Sequence, residues 1–516
     1  MTKLMSRIGE TLRALSGWRR LAASFAAGGF SALGFAPIGF FPALLVGTAL
    51  LVVLLDGATA GSARLRNAAW TGWAFGFGQF LIGLHWIGYP FLVDAASHAW
   101  QMPFAVLFMS GGLALFPALA CLAAAVFWRS GMARLLLFTL CLAVSEWLRG
   151  HIFTGFPWNL AGYGWGASLN ILQSTFLFGI YGLTLLTILF GACLAEFFSP
   201  RIDWRPPAIL LLLFALIWGA GALRLSANPT AFVPDIRLRL VQPNIPQSEK
   251  SSRQYAVRNW QRLVSLSQTP SALPPTHIIW PEAAVPFLLT DQSGPVEQVV
   301  RRLIGPGGVL ITGAIRRQQE NVDTARYFNS LYVFSSGPTK IFDKVHLVPF
   351  GEYVPFRGVL SVLGIEKLTA GSIDDSSGPG LRTLDIPHAP SAGPLICYEI
   401  DFPSAVLASP RPEWIVNITN DVWFGPWAGP MQHLLNARVR AIEEGVPVVR
   451  AANTGISAVI DGSGRIVTTL SLNQTGILDS ALPKVLGLTP YGRYGDLGFF
   501  LMLLLCGAGC RLLRRK

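Results

Sequence analysis

Eight long apolar runs dominate the sequence, seven of them within the first 224 residues and one near the end. About 20 apolar residues cross a bilayer as one helix, with a range of roughly 17–25. The sequence therefore predicts a polytopic α-helical membrane bundle of about eight spans, near residues 21–36, 38–56, 68–90, 102–128, 132–148, 170–197, 207–224 and 497–512. The first run is short and is separated from the second by Pro37. One alternative is that the two runs form a re-entrant hairpin, and another is that the first run is a signal peptide. No convincing cleavage site precedes the second run, which favours an uncleaved anchor.

The composition agrees with a membrane protein. Of 516 residues, 52% are hydrophobic and 13% are charged, with a mean hydropathy of +0.47. Soluble domains carry about 25% charged residues, so a fully soluble or disordered chain is excluded. The net charge is +12, yet residues 225–495 hold 23 basic and 21 acidic side chains. The positive excess lies elsewhere, which argues against nucleic acid as a partner.

The placement of basic residues predicts the topology. If eight spans alternate, fifteen of them lie on one side of the membrane: Lys3, Arg7, Arg13, Arg19, Arg20, Arg64, Arg66, Arg129, Arg134, Arg201, Arg205, Arg511, Arg514, Arg515 and Lys516. The positive-inside rule then places both termini in the cytoplasm. The expected organisation is a cytoplasmic N-terminus (1–20), a bundle of about seven helices (21–224), an extracytoplasmic domain (225–495), and a last span with a basic tail (496–516).

The block 225–495 has the pattern of one α/β domain. Eight short β-rich runs are predicted as strands, at 236–242, 276–280, 308–314, 329–335, 394–398, 414–418, 446–451 and 456–460. Helical patterns lie at 252–267, 294–304 and 430–444. Several of the strands are apolar throughout, as in sheets covered on both faces. Residues 460–466 are predicted to form a hairpin with Asp461-Gly462 at the turn.

One cysteine stands apart from the other five. Cys121, Cys141, Cys193, Cys506 and Cys510 lie in apolar runs, whereas Cys397 lies at the end of a predicted strand. A buried cysteine is commonly just a small hydrophobe. A nucleophilic cysteine needs a base or a positive charge nearby.

Charged residues that supply such a base or charge occur in two other segments of the block. Glu282 follows the strand-like run THIIWP, and Lys344 precedes Glu352 by eight residues in KVHLVPFGE. Their alternative interpretation is a surface salt bridge or solvated loop charge.

Together these segments resemble the Glu-Lys-Cys signature of the nitrilase superfamily. The residues are Trp280-Pro281-Glu282, Lys344 to Glu352, and Cys397-Tyr398-Glu399, separated by 62 and 53 positions, with a fourth hallmark at Asn420 to Gly425. Because membrane spans are predicted on both sides of the domain, the resemblance is to a membrane-embedded branch of this superfamily. The resemblance extends to Gly155–Trp158 and Gln432-His433. It implies an α/β nitrilase-like αββα sandwich for the extracytoplasmic domain.

The resemblance also implies roles for the residues. Cys397 is expected to take an acyl chain from a phospholipid as a thioester and pass it to the α-amine of a diacylglyceryl-cysteine at a lipoprotein N-terminus. Glu282 is the expected general base and Lys344 the expected oxyanion stabiliser. Supporting or substrate-binding roles fall to Glu352, Tyr398, Glu399, Trp423 and Phe424. No cofactor or metal is implied.

The implied setting is the bacterial inner membrane, with the catalytic domain in the periplasm and a monomeric enzyme. A transporter, a membrane-tethered amidase or nitrilase, and a catalytically dead scaffold are the alternatives. The sequence departs from the family at one point, because Lys250 is followed by Ser251 and Ser252 where many members carry Trp.

An acyl-enzyme that must wait for an amine needs protection from water. Three apolar segments are predicted to form a gated acyl entrance: residues 283–289, residues 359–368, and the loop with Trp423, Phe424 and Trp427. Ordinary core packing is the alternative for the first two. Within the spans, Glu146 is predicted to pair with Arg149 at a helix end.

Overall fold

The computed structural model describes residues 2–129, 131–200, 202–250, 252–290, 294–321, 324–360 and 374–513. The chain divides into two compact units. The first comprises Met1–Gly88, Trp100–Asn228 and Leu488–Lys516, and the second comprises Tyr89–Ala99 and Pro229–Gly487.

The first unit is helical. Its α-helices are Thr2–Ala14, Gly17–Ser31, Phe41–Ala58, Arg64–Gly83, Met102–Leu113, Leu115–Val126, Met132–His151, Leu169–Leu172, Thr175–Leu194, Arg205–Ala227, Pro490–Tyr494 and Leu497–Leu513. Each of the eight apolar runs coincides with at least one of these helices. Four stretches of the described residues are long and apolar enough to cross a membrane: Phe41–Ala58, Ala95–Val126, Thr175–Phe198 and Arg205–Ala227.

Several charged side chains inside this helical unit are paired. Arg149 Nη2 lies 2.8 Å from Glu146 Oε2, which is the predicted helix-end pair. Asp56 Oδ1 accepts hydrogen bonds from Arg134 Nε at 3.0 Å and from Trp128 Nε1 at 3.1 Å. Such pairing is what an apolar environment demands of ionised groups.

The second unit contains two mixed β-sheets. Its strands are β1 Phe232–Gln242, β2 His277–Ile279, β3 Val309–Gln319, β4 Ala325–Phe334, β5 Lys340–Asp343, β6 Ala392–Ile396, β7 Trp414–Thr419, β8 Val448–Ala452, β9 Ser457–Ile460, β10 Ile466–Leu470 and β11 Gly476–Pro483. One sheet has the order β11-β1-β2-β3-β4-β5 and the other β10-β9-β8-β7-β6. Strands β1, β2 and β3 are mutually parallel, as are β6, β7 and β8. The remaining pairings are antiparallel.

Helices accompany the sheets in this unit. They are Ala95–His98, Gln247–Lys250, Ala256–Ser267, Gly294–Ile304, Arg357–Leu360 and Ala428–Glu444. One apolar core surrounds Trp280 and Leu310, and a second surrounds Leu395 and Val448. Every residue of β6 and β7 is buried, which explains why both strands read as continuous apolar runs.

The eight predicted strands correspond to β1–β4 and β6–β9, whereas β5, β10 and β11 went unpredicted as strands. These three lie at sheet edges, where partial exposure weakens the apolar signal. The predicted hairpin joins β9 to β10, but its turn differs from the expected two-residue form. It spans five residues, Gly464 supplies the positive φ of 76°, and the Asp461 carboxylate accepts from the N–H groups of Ser463 and Arg465 at 2.9 Å.

The parallel pairing of β2 and β3 fixes the segment that follows β2. Gly313 N–H donates to the Pro281 carbonyl at 3.1 Å, and its carbonyl accepts from Val285 N–H at 3.1 Å. A Cβ atom at Gly313 would lie 2.4 Å from Ala283 N and 2.7 Å from Glu282 Cα. The close approach of the two backbones therefore requires glycine at this position.

Gly313→Ala is expected to lower the free energy of unfolding by about 1–3 kcal/mol, because the added methyl must push the Glu282 backbone aside. Denaturant unfolding of the purified protein measures the change. Gly476→Ala, also in a strand, is the matched control, since its Cβ would meet only Leu470 at 3.5 Å. Equal stabilities of the two variants would contradict the close approach.

Candidate active site

Cys397 lies at a sharp bend where strand β6 ends. The strand stops at Ile396, two residues before the predicted end at residue 398, and a 3₁₀ turn runs from Cys397 to Asp401. Cys397 has φ +53°, in the left-handed region that costs a non-glycine residue energy and clusters at functional sites. The bend therefore presents the thiol at the end of a rigid, buried strand.

Glu399 holds this bend in place. Its Oε2 accepts from Ile396 N–H at 2.7 Å, and its Oε1 accepts from Val345 N–H at 2.7 Å and His346 N–H at 3.1 Å. Burial raises the pKa of Glu399 to about 7, although these three N–H groups and Lys344 favour the charged form. Glu399 thus ties the Cys397 bend to the segment that carries Lys344.

Lys344 lies between two carboxylates. Its Nζ is 2.8 Å from Glu352 Oε1 and 3.9 Å from Glu282 Oε1, and all three side chains are buried. Burial disfavours the ammonium, but the two carboxylates outweigh it and raise the pKa of Lys344. Lys344 is therefore a permanent cation, held in place by Glu352.

Asn329, which sequence reasoning missed, connects the two carboxylates. It projects from the middle of β4, where its Nδ2 donates to Glu282 Oε1 at 2.7 Å and to Glu352 Oε1 at 3.2 Å. The available signal was a single amide in the otherwise apolar run NSLYVF. Its position fixes the orientation of Glu282.

The resting state of Cys397 is a thiol. Burial raises its pKa well above the ordinary value, the Glu282 charge raises it further, and Lys344 opposes both. A thiol of this kind attacks a carbonyl only if a base removes its proton during the attack. The Glu282 charge acts on Cys397, and its Oε1 accepts from Asn329 Nδ2 at 2.7 Å and lies 3.9 Å from Lys344 Nζ.

A second lysine also approaches Glu282. Lys250 Nζ donates to the Glu282 backbone carbonyl at 2.6 Å. Burial lowers the pKa of Lys250 to about 8, with the charges of Glu282 and Cys397 opposing the shift. Sequence reasoning noted Lys250 only as the neighbour of Ser251, which lies outside the described residues.

Tyr398 and its neighbours form an aromatic cluster beside the thiol. The His346 ring stacks on Phe402 at 3.7 Å between centroids, and Tyr398 meets Phe402 edge-on at 4.8 Å. Tyr398 is buried. Its side chain thus packs at the bend, and its supporting role stays a prediction.

The Trp423–Phe424 loop packs close to the same region. Phe424 meets the His433 ring edge-on at 5.2 Å. A Cβ at Gly425 would lie 2.4 Å from the Tyr89 ring, so Tyr89 covers the loop. Trp423 is half-buried and Trp427 is 49% exposed.

The other two predicted entrance segments are residues 283–289 and 359–368. In residues 283–289, Ala284, Val285 and Leu289 belong to the apolar core, whereas Phe287 and Leu288 are exposed. Core packing thus accounts for half of that segment. In the segment 359–368, residues 361–368 lie outside the described residues.

A buried charged network lies on the other side of Cys397, and sequence reasoning missed most of it. Asp421 accepts from Arg450 Nη2 at 2.7 Å and from Thr419 Oγ1 at 2.8 Å. Burial alone would raise the pKa of Asp421, but Arg450 and His433 hold it well below its usual range. His433 Nε2 lies 3.2 Å from the Cys397 carbonyl oxygen. Within the described residues, no group of His, Cys, Asp and Glu is arranged to hold a metal ion.

The carbon–nitrogen hydrolase family model matches residues 237–491, which include the buried Cys397 and the Glu282–Lys344 pair, so the two-sheet unit is of the carbon–nitrogen hydrolase class. The model of the apolipoprotein N-acyltransferase N-terminal domain matches residues 27–193. The chain belongs to the apolipoprotein N-acyltransferase family.

Relatives cover nearly the whole chain. The apolipoprotein N-acyltransferase of Rhodopseudomonas palustris is 40% identical over 510 residues, 96% of this chain and 95% of that protein. The Bradyrhizobium diazoefficiens protein of the same name is 42% identical over 496 residues, 93% of this chain and 92% of that one. Among solved structures, an amidase from Nesterenkonia sp. is 16% identical with a TM-score of 0.33, covering 50% of this chain and 94% of that chain, a likeness too remote to carry an argument.

Lys344→Met is expected to lower the free energy of unfolding by about 3–5 kcal/mol, because it leaves two buried carboxylates without their cation. It should also slow alkylation of Cys397 by iodoacetamide at pH 8, since the Lys344 charge is what opposes the raised thiol pKa.

Lys340→Met is the matched control for that change. Lys340 begins β5, the strand that Lys344 directly follows, but pairs with the exposed Asp385 at 3.7 Å, and an exposed pair contributes about 0–1 kcal/mol. A Lys344 variant as stable and as reactive as the Lys340 variant would contradict the role of Lys344 as the buried counter-charge.

Proposed function

We propose that this protein is a phospholipid:apolipoprotein N-acyltransferase. It transfers an acyl chain from a membrane phospholipid, through a thioester on Cys397, to the α-amine of the N-terminal diacylglyceryl-cysteine of lipoproteins. The observation that carries the proposal is the buried Cys397 thiol beside the Glu282–Lys344 pair in a chain of this family.

In the first half-reaction, Glu282 removes the thiol proton as Sγ attacks the ester carbonyl carbon. The C–S bond forms, and the carbonyl oxygen becomes an oxyanion that faces the Lys344 ammonium. The ester C–O bond then breaks, and the proton on Glu282 passes to the departing lysophospholipid hydroxyl. Base catalysis contributes roughly 10²–10⁴-fold and a preorganised oxyanion donor a similar factor.

In the second half-reaction, the α-amine of the lipoprotein attacks the thioester carbonyl. The N–C bond forms, Glu282 accepts a proton from the amine, and Lys344 again faces the oxyanion. The C–S bond breaks, and the proton on Glu282 returns to Cys397 Sγ. Glu352 and Asn329 orient Lys344 and Glu282 through both steps, and Glu399 holds the Cys397 bend.

The proposal includes a topology. The eight helical segments cross the bacterial inner membrane with both termini in the cytoplasm, and residues 225–495 form an αββα sandwich in the periplasm. The fifteen basic residues on one side of the spans support this arrangement. We assign a monomer, because the proposed chemistry uses groups of one chain only.

The proposal also includes an acyl entrance. The exposed side chains of Phe287, Leu288 and Trp427, with the half-buried Trp423 and Phe424, offer apolar surface. Phe424 contacts the His433 ring, which in turn contacts the Cys397 carbonyl. An acyl chain bound there excludes water from the thioester. Such exclusion is what separates a transferase from a hydrolase that uses the same intermediate.

Intact-mass spectrometry of the purified enzyme with phospholipid tests the function. We expect one acyl adduct, located on Cys397 by peptide mapping and discharged by a diacylated lipopeptide with formation of an amide. Cys397→Ala is the control and should form no adduct. Release of free fatty acid without an amide product, or absence of an adduct on the wild-type enzyme, would overturn the proposal.

Trp423→Ala and Phe424→Ala are each expected to lower the ratio of acyl transfer to hydrolysis about tenfold, because water reaches the thioester more readily. Product analysis of amide against free fatty acid measures the ratio. Phe232→Ala, which removes an aromatic side chain of 41% exposure at the start of β1, serves as the control. Unchanged ratios in both loop variants would show that this loop is not part of the entrance.

A further inference from the structure

His433 touches the backbone of the proposed nucleophile rather than its thiol. Its Nε2 lies 3.2 Å from the carbonyl oxygen of Cys397, and its side chain is fully buried. A carbonyl oxygen only accepts hydrogen bonds, so Nε2 carries a proton and donates it. The ring is thus directed at the peptide group that joins Cys397 to Tyr398.

The other edge of the ring is fixed by charged groups. Nδ1 lies 3.0 Å from Asp421 Oδ1 and 2.9 Å from Arg450 Nη2. Asp401 Oδ2 lies 3.8 Å from Nε2. All of these side chains are buried. Nδ1 either accepts from Arg450 or donates to Asp421, and turning the ring would break that charge-assisted bond together with the one to Cys397. His433 is consequently a rigid donor.

Because the peptide group is planar, the hydrogen bond to the Cys397 carbonyl also orients the Tyr398 N–H on the other side of that group. In a trans peptide the C=O and N–H bonds point in opposite directions across one plane. A donor that holds the Cys397 carbonyl therefore also sets the direction of the Tyr398 N–H. Asn417 Nδ2 supports the same carbonyl at 3.4 Å, but at a longer distance than His433.

The left-handed φ of +53° at Cys397 makes such a restraint necessary. A non-glycine residue in this region persists only where its surroundings over-determine it. Glu399 fixes the Leu395–Ile396 peptide, one position before the bend, through Ile396 N–H. His433 fixes the peptide that follows Cys397.

We propose that His433 is a positioning residue that turns the Tyr398 N–H toward the acyl oxygen, where it acts with Lys344 on the oxyanion. This inference rests on the proposed acyl transfer through Cys397. His433 takes no proton from Sγ and does not contact the substrate. Its contribution passes entirely through the Cys397–Tyr398 peptide group.

Two amide variants separate this role from a merely structural one. The side-chain nitrogen of Gln occupies roughly the place of Nε2, whereas that of Asn reaches only the place of Nδ1. His433→Gln should therefore keep the donor to Cys397, and His433→Asn should lose it. We expect thioester formation from phospholipid, followed by intact mass in a single turnover, to fall about 10²-fold in His433→Asn and less than about tenfold in His433→Gln.

Alkylation of Cys397 by iodoacetamide is the second readout. That displacement develops no oxyanion, so both variants should react within about threefold of the wild-type rate. Asn436→Leu is the matched control, because Asn436 lies in the same buried network and donates to the Asp401 carboxylate at 2.7 Å. It should acylate like the wild type, and its thermal unfolding reports how much a lost network bond costs in stability.

The outcomes are distinguishable. Wild-type acylation with equal rates in the Asn and Gln variants overturns the role of His433 and leaves the acyltransferase proposal intact. A parallel loss of alkylation and acylation in His433→Asn overturns it as well, because the thiol itself has then moved. Absence of an adduct on the wild-type enzyme overturns both proposals.

Discussion

The buried ammonium of Lys344 between Glu282 and Glu352 is the interaction on which the proposed site depends. A charge moved out of water costs several kcal/mol unless it is paired and hydrogen-bonded, so each member of this cluster requires the others. Glu282 lies in the segment after β2, and Lys344 and Glu352 lie in the segment after β5. The sheet brings these two segments together, with Asn329 of β4 between them. The sheet order thus has a chemical consequence: it assembles two carboxylates and one ammonium beside the end of β6, where Cys397 lies.

The same cluster explains how a thiol of raised pKa can act as a nucleophile. With Cys397 protonated, the two carboxylates and the ammonium sum to one negative charge. When Glu282 takes the proton and an oxyanion forms, the negative charge leaves Glu282 and reappears on the acyl oxygen, so the sum is unchanged. The reaction therefore moves a charge within the pocket and creates none. Preorganised groups stabilise such a movement of charge without the help of water. This suits a thioester intermediate, which water would hydrolyse.

Much of this site could be predicted from the sequence, because its main residues follow apolar strands. Glu282 and Cys397 come directly after β2 and β6, and the Lys344 to Glu352 segment follows a strand that was not itself recognised. Asn329, Lys250, Asp421 and Arg450 could not be assigned roles in this way. Their importance arises from side chains that meet across strands far apart in the chain, such as Arg450 on Asp421, and a single sequence carries no signal of that meeting. The edge strands β5, β10 and β11 were missed because half-exposed strands lack a continuous apolar run.

Backbone strain is distributed over all three proposed catalytic segments. Ala283 follows Glu282 with φ +44°, Phe350 precedes Glu352 with φ +62°, and Cys397 itself has φ +53°. Left-handed non-glycine residues cost of order 1–3 kcal/mol each. Each segment is held by a hydrogen bond from a backbone N–H: Val285 to the Gly313 carbonyl at 3.1 Å, Phe350 to the Tyr353 carbonyl at 2.7 Å, and Ile396 to the Glu399 carboxylate at 2.7 Å. Sharp local turns let three separate segments direct a carboxylate, an ammonium and a thiol into one small volume, which extended or helical backbone would keep apart. The strain thus results from bringing the three segments to one place, and the two apolar cores beneath the sheets supply the stability that offsets it.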